Sequence, residues 1–207
     1  MAETTTRRIY LYEEFNASSA KNIVESLLAF DKEDRDLLEK MKEPEILPIY
    51  LHIASYGGHA AYLRAILNVM RGIVAPVVTV VDGPAYSCGS LLSVCGDYRI
   101  MGEHADLLIH PPFGGGVGEA SYLKADADHL QLLDAWCIDL YANHSDIPKE
   151  DLEDAFAKHK QWYINAEEAL ALGLVDAIAP AKESEYNKKK KSFSVKLGSL
   201  NYESAFA

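Results

Sequence analysis

The stretch Val77-Val78-Thr79-Val80-Val81-Asp82-Gly83-Pro84-Ala85-Tyr86-Ser87-Cys88-Gly89-Ser90 decides the fold. Val77–Val81 is an unbroken β-branched run without polar alternation, so it reads as a strand buried on both faces in a parallel sheet. Gly83–Ser90 reads as a turn leading into a short apolar helix. The same order recurs upstream. Ile9–Tyr12 reads as a strand and Ala17–Phe30 as a helix, with Ile23, Val24, Leu27 and Leu28 on one face and Asn16 as its cap. A strand at Ile49–Ile53 is followed by a turn at Tyr56-Gly57-Gly58. The helix after it carries Leu63, Ile66, Leu67, Met70 and Ile73 at helical spacing. Tyr98–Met101 and Leu107–Ile109 read as further strands. Successive units of this length imply right-handed crossovers and a layered α/β fold.

Past His110 the pattern changes to Pro111-Pro112-Phe113 and the glycine-rich run Gly114-Gly115-Gly116-Val117-Gly118, which can extend and pair but packs poorly by itself. A long helix is expected over about 120–142, and Pro148 opens another that reaches about Lys158. Glu167–Leu172 reads as a short helix stopped by Gly173, and Leu174–Ile178 as a last strand. The charge-dense stretch Asp31–Glu45 reads as a solvated connection, partly helical. Residues 181–207, with Lys188–Lys191 in a row, form a peripheral tail, and no repeat of 20–50 residues is seen.

The 207 residues suit one domain. A composition 49% hydrophobic and 25% charged excludes a disordered or collagen-like chain. The net charge of −11 disfavours nucleic acid and anionic membranes as partners. Cys88, Cys95 and Cys137 are odd in number and lie in apolar stretches, so reduced thiols and a cytoplasmic location are expected. Met1–Arg8 has no apolar run after its charges, and no stretch approaches the roughly 18 apolar residues of a membrane helix. Neither a signal peptide nor a membrane span is expected.

Three features could carry chemistry. Ser87 lies between Gly83 and Gly89 at a strand-to-helix turn, where a hydroxyl can be held exposed as a nucleophile; a helix cap suits it equally on spacing alone. His110 ends a strand where the sheet's carboxyl edge can present an imidazole to a crevice, although a neutral structural histidine fits as well. Gly57-Gly58 can aim backbone N–H groups at a developing oxyanion, or can simply make a tight turn. The seven histidines show no familiar zinc spacing, so no metal site is expected.

Taken jointly, the segments are far more specific. Ile53-Ala54-Ser55-Tyr56-Gly57-Gly58, Gly83-Pro84-Ala85-Tyr86-Ser87-Cys88-Gly89, Leu108-Ile109-His110-Pro111-Pro112-Phe113-Gly114-Gly115 and Glu168-Ala169-Leu170-Ala171-Leu172-Gly173-Leu174-Val175-Asp176 resemble the proteolytic subunit of Clp protease, ClpP, in order and spacing. The resemblance runs from about Arg8 to Pro180. It implies a ClpP/crotonase-like ββα superhelix over residues 1–180, with an extended handle at about 111–145. It also implies a serine endopeptidase acting on peptides and unfolded proteins, with no cofactor. Ser87 would be the nucleophile, His110 the general base, and the amides of Gly58 and Cys88 the oxyanion hole. Gly114, Gly115 and Gly116 would bind substrate backbone as an added strand. Members of the family form stacked seven-membered rings, a tetradecamer fed by an AAA+ unfoldase. This sequence has no G-x-x-x-x-G-K-[ST] loop, so ATP dependence would belong to that partner.

The sequence departs from the family in places. The family's third catalytic residue is an aspartate twelve positions before the glycine of the G-L-[VI]-D motif, where Gln161 stands here. An amide carbonyl can accept the imidazole N–H but offers no full charge to the imidazolium. A catalytically impaired, structural ClpP-like subunit of a mixed ring is therefore the alternative reading. Acyl-CoA enzymes of the crotonase type share the fold but have no need of a serine and a histidine at these two places. The segment before the first strand is short, so the family's N-terminal helix and axial loop are expected to be reduced. Tyr56 replaces a common proline, and Cys88 stands where methionine is usual.

Overall fold

The computed structural model describes residues 7–179 and two strands beyond them, 183–187 and 192–196. The chain begins with β1 (Arg7–Leu11), α1 (Ala17–Lys40), β2 (Ile49–Ser55) and α2 (Ala60–Met70). Next come β3 (Val77–Tyr86), α3 (Cys88–Ser93), β4 (Tyr98–Gly102) and β5 (Asp106–Ile109). They are followed by α4 (Ala120–His144), α5 (Lys149–Ala157), β6 (Trp162–Asn165), α6 (Ala166–Ala171) and β7 (Ala177–Ala179), and then by β8 (Glu183–Asn187) and β9 (Ser192–Lys196).

β1 to β7 form one sheet in the order β1-β2-β3-β4-β7, with β5 branching from β3 and β6 added to β5. Every pairing is parallel except β5 with β6. β3 explains the branch. Val77–Val81 lies between β2 and β4, whereas Pro84–Tyr86 pairs with Asp106–Leu108 of β5. The strand thus runs on through Gly83 and Pro84, where a turn was expected. These residues sit where it changes partner and where its register with β2 shifts, a place suited to residues that weaken an ordinary ladder.

All five residues of Val77–Val81 are buried, as the missing alternation predicts. Val77 and Val81 join the main core with Leu51, Ile53, Leu63 and Ile66, while Val78 and Val80 join a smaller cluster with Tyr50 and Ile100.

The charged stretch after Phe30 differs from expectation. α1 continues to Lys40, and Asp31 and Asp34 are buried rather than solvated. They prolong the face of Ile23 and Leu27 past the apolar core, where a carboxylate is tolerated only with partners. Arg7 forks onto both oxygens of Asp34 at 2.9 and 3.1 Å and donates to the Leu47 carbonyl at 2.8 Å. Asp31 accepts from Arg35 at 2.7 Å and from the Val74 amide at 2.9 Å. These residues anchor β1 and the loop before β3.

Arg99 of β4 does the same for the Gly173–Asp176 turn. It meets both Asp176 oxygens, at 2.6 and 3.0 Å, and donates to the carbonyls of Gly173 and His144. The expected last strand, Leu174–Ile178, is shorter: Leu174 and Val175 are buried in the turn and pairing begins at Ala177. In the tail, β8 and β9 pair antiparallel, while 188–191 and 197–207 lie outside the described residues. No helix of the described residues is long and apolar enough to cross a membrane.

Candidate active site

Ser87 joins β3 to α3 with φ 55° and ψ −117°, a conformation that a residue with a side chain adopts only when its surroundings enforce it. The enforcement is visible. The Ser87 amide donates to the Leu108 carbonyl of β5 at 3.0 Å, and its own carbonyl accepts from the Leu91 amide at 3.0 Å. Ser90, fully buried, places its hydroxyl 2.8 Å from the carbonyls of Ser87 and Leu108 and 2.6 Å from the Tyr141 hydroxyl of α4. With Tyr141 donating to Ser90, the Ser90 proton is left for the carbonyls. Although Ser87 occupies the cap position of α3, its side chain makes no capping bond, and that separates it from the helix-cap reading.

The glycine turn after β2 packs directly on this elbow. Gly57 and Gly58 have φ of 101° and 141°. A Cβ on Gly57 would lie 2.8 Å from the Ser87 Cβ, and one on Gly58 would lie 2.6 Å from the Phe15 carbonyl oxygen. Both positions therefore require glycine. Buried Phe15 clamps the turn from the other side, its amide donating to the Gly57 carbonyl at 2.8 Å and its carbonyl accepting from His59 at 3.0 Å. Cys88 ties turn to elbow: its thiol donates to the Gly58 carbonyl at 3.2 Å. Burial pushes that thiol up to about 11, so it stays protonated, as an inert cysteine would.

His110 follows β5, half-buried, with its ring centroid 5.8 Å from that of Phe113. Burial holds its imidazole below the ordinary histidine value. Ser87, His110, Gly58 and Cys88 all line one cavity of about 510 Å³, closed on the far side by Leu91 and by Leu130, Leu133 and Cys137 of α4. Gly114 and Gly115 line it too, but Gly116 does not. The glycine run is not a strand here. It lies along α4, with Gly114 against Leu130 and Gly116 against Tyr122 and Asp126. An added strand needs a partner edge, and no other strand of the described residues pairs with it.

Gln161 is exposed and does not line the cavity. It immediately precedes β6, a strand the sequence reading missed because Trp162–Asn165 is too short to show alternation. In the antiparallel register Ile109 faces Trp162, and His110 and Gln161 are the next residues beyond this last pair. No hydrogen bond joins His110 to Gln161 or to Ser87 among the described residues. Asp154 is engaged by Lys158 at 2.6 Å, so it offers no substitute. Of the other histidines, His52 bonds Asp82 at 2.7 Å and His144 approaches the Leu140 carbonyl at 2.8 Å, whereas His59, which caps α2, and His129 of α4 line the same cavity as His110. Ser90 and Tyr141 were not legible as site residues, since their effect passes through Ser87.

Comparison with known proteins agrees with the geometry. The family model described as Clp protease matches residues 2–182. The chain is 30% identical over 174 residues to a protein from Borrelia garinii subsp. bavariensis named ATP-dependent Clp protease proteolytic subunit, an alignment covering 83% of this chain and 84% of that one. A family match spanning the whole sheet, the serine elbow and the Arg99-pinned turn leads to one conclusion: the chain belongs to the Clp protease family.

Proposed function

We propose that the chain is a Clp-type serine endopeptidase in which Ser87 attacks the peptide carbonyl and His110 acts as general base. The observation that carries this reading is the strained Ser87 elbow, which opens onto the same cavity as His110 and the glycine turn. His110 accepts the hydroxyl proton as Oγ bonds to the carbonyl carbon. The amides of Gly58 and Cys88 stabilise the oxyanion, and the imidazolium then returns its proton to the leaving amine. Water repeats the sequence on the acyl-enzyme. In the resting chain His110 makes no bond to Ser87, as is common before substrate is bound. Gln161 presents an amide carbonyl that can hold the Nδ1–H tautomer. Gly114, Gly115 and Gly116 bind substrate backbone. The working form is a homo-oligomer of stacked seven-membered rings in the cytoplasm, supplied with unfolded protein by an AAA+ partner.

A second reading, a structural subunit with impaired turnover, rests on Gln161 standing where the family has an aspartate and on burial alone shifting the His110 imidazole, with no carboxylate bonded to it among the described residues. Hydrolysis of an unstructured peptide separates the two. The native chain is expected to cut it. Ser87→Ala is expected to abolish cutting while light scattering shows the same assembly mass. Equal hydrolysis by both chains removes Ser87 from the mechanism.

A further inference from the structure

The stripe of α4 that walls the cavity is Asp126, His129, Leu130, Leu133 and Cys137, spaced to lie on one helical face, with exposed His129 one turn along from Asp126 but not bonded to it among the described residues. It grades from half-buried Asp126 and Leu130 to buried Leu133 and Cys137. An apolar wall is what any large side chain needs. Asp126 is the one carboxylate on that wall, and it is only partly shielded from water. Among the described residues Asp126 has neither a hydrogen bond nor an ion pair, and the cavity is lined by no lysine or arginine. The nearest helix lysine, Lys124, is engaged by Asp128 at 2.8 Å. His59, also on the wall, accepts the Ala61 amide on Nδ1. One Asp126 oxygen rests against Gly116, where an added Cβ would come within 2.9 Å, so the carboxylate stands where the glycine run meets α4.

We propose that Asp126 makes this cavity select a long cationic side chain, lysine or arginine, on the residue whose carbonyl Ser87 attacks. This rests on the peptidase reading above. The aliphatic stem packs on Leu130 and Leu133 while the charged head reaches Asp126, the division that long basic side chains make at the edge of apolar surface. The net charge of −11 adds a general attraction for basic segments.

The test uses the full chain and three diphenyl phosphonate peptides that differ only in the side chain on the carbon bonded to phosphorus: lysine-like, leucine-like or glutamate-like. Ser87 Oγ bonds to phosphorus as a phenoxide leaves, and His110 carries the hydroxyl proton to it. Intact mass therefore counts adducts whether or not peptides turn over. The lysine-like reagent is expected to react about ten- to hundredfold faster than the leucine-like one. Asp126→Asn is expected to collapse that ratio, and Asp126→Lys to turn it toward the glutamate-like reagent. A native preference for the leucine-like reagent, or a ratio unmoved by Asp126→Asn, overturns the inference. A fluorophosphonate without a side chain tests Ser87 separately. If it labels while the ratios are flat, only the selectivity is wrong. If it fails to label the native chain, the peptidase reading falls and the selectivity with it.

Discussion

In the proposed mechanism the side chain at position 161 bears on how well the His110 imidazole can hold a proton. His110 is shifted only by burial, which favours the neutral ring, so the acid limb of the rate profile is expected below the ordinary histidine value of 6.5. Gln161→Asp would introduce a negative charge at position 161. The imidazolium is then favoured, and the acid limb moves to higher pH. The rate on the plateau rises by at least about tenfold, and an amide in place of this carboxylate can cost up to about four orders of magnitude. A pH–rate profile of the two chains checks both effects; no change in either would mean that position 161 does not address His110. Stability has its own sign. Because the folded ring resists protonation, its contribution is full above pH 6.5 and is lost as pH falls from there toward the folded value. Asp34 matters differently, through burial. Asp34→Ala leaves Arg7 without its counter-charge and is expected to cost about 3–5 kcal/mol in urea unfolding, whereas an exposed ion pair would cost under about 1 kcal/mol.

At the scale of elements, the Ser87 elbow is held by α3, β5 and α4 together. Tyr141→Phe keeps the packing but removes the hydroxyl that meets Ser90 at 2.6 Å. It is expected to cost about 1–2 kcal/mol of stability and to slow acylation of Ser87 several-fold more than it weakens substrate binding. A change confined to KM would contradict a role in holding the elbow. These elements were unequally legible in the sequence. Val77–Val81, the glycine turn and α2 could be read because burial and periodicity write themselves into residue type. α1 beyond Phe30 could not, since buried Asp31 and Asp34 look like surface residues until Arg7, Arg35 and the Val74 amide come into place. β6 escaped because four residues carry too little pattern. Pairing with β5 is what makes them a strand.

At the scale of the whole molecule, no one segment holds the site: β2, β3, β5 and α4 bring Gly58, Ser87, His110 and Leu133 to one cavity from positions far apart in the chain. Local spacing left each residue with a structural reading as good as the catalytic one, and their convergence on one cavity is what supports the proposed catalytic reading. The glycine run lies along α4, and no strand of the described residues pairs with it. Intact-mass labelling with a small fluorophosphonate near neutral pH tests the central claim most directly. One adduct is expected on the native chain and none on Ser87→Ala. An assembled native chain that gains no adduct would contradict it and leave the structural-subunit reading in its place.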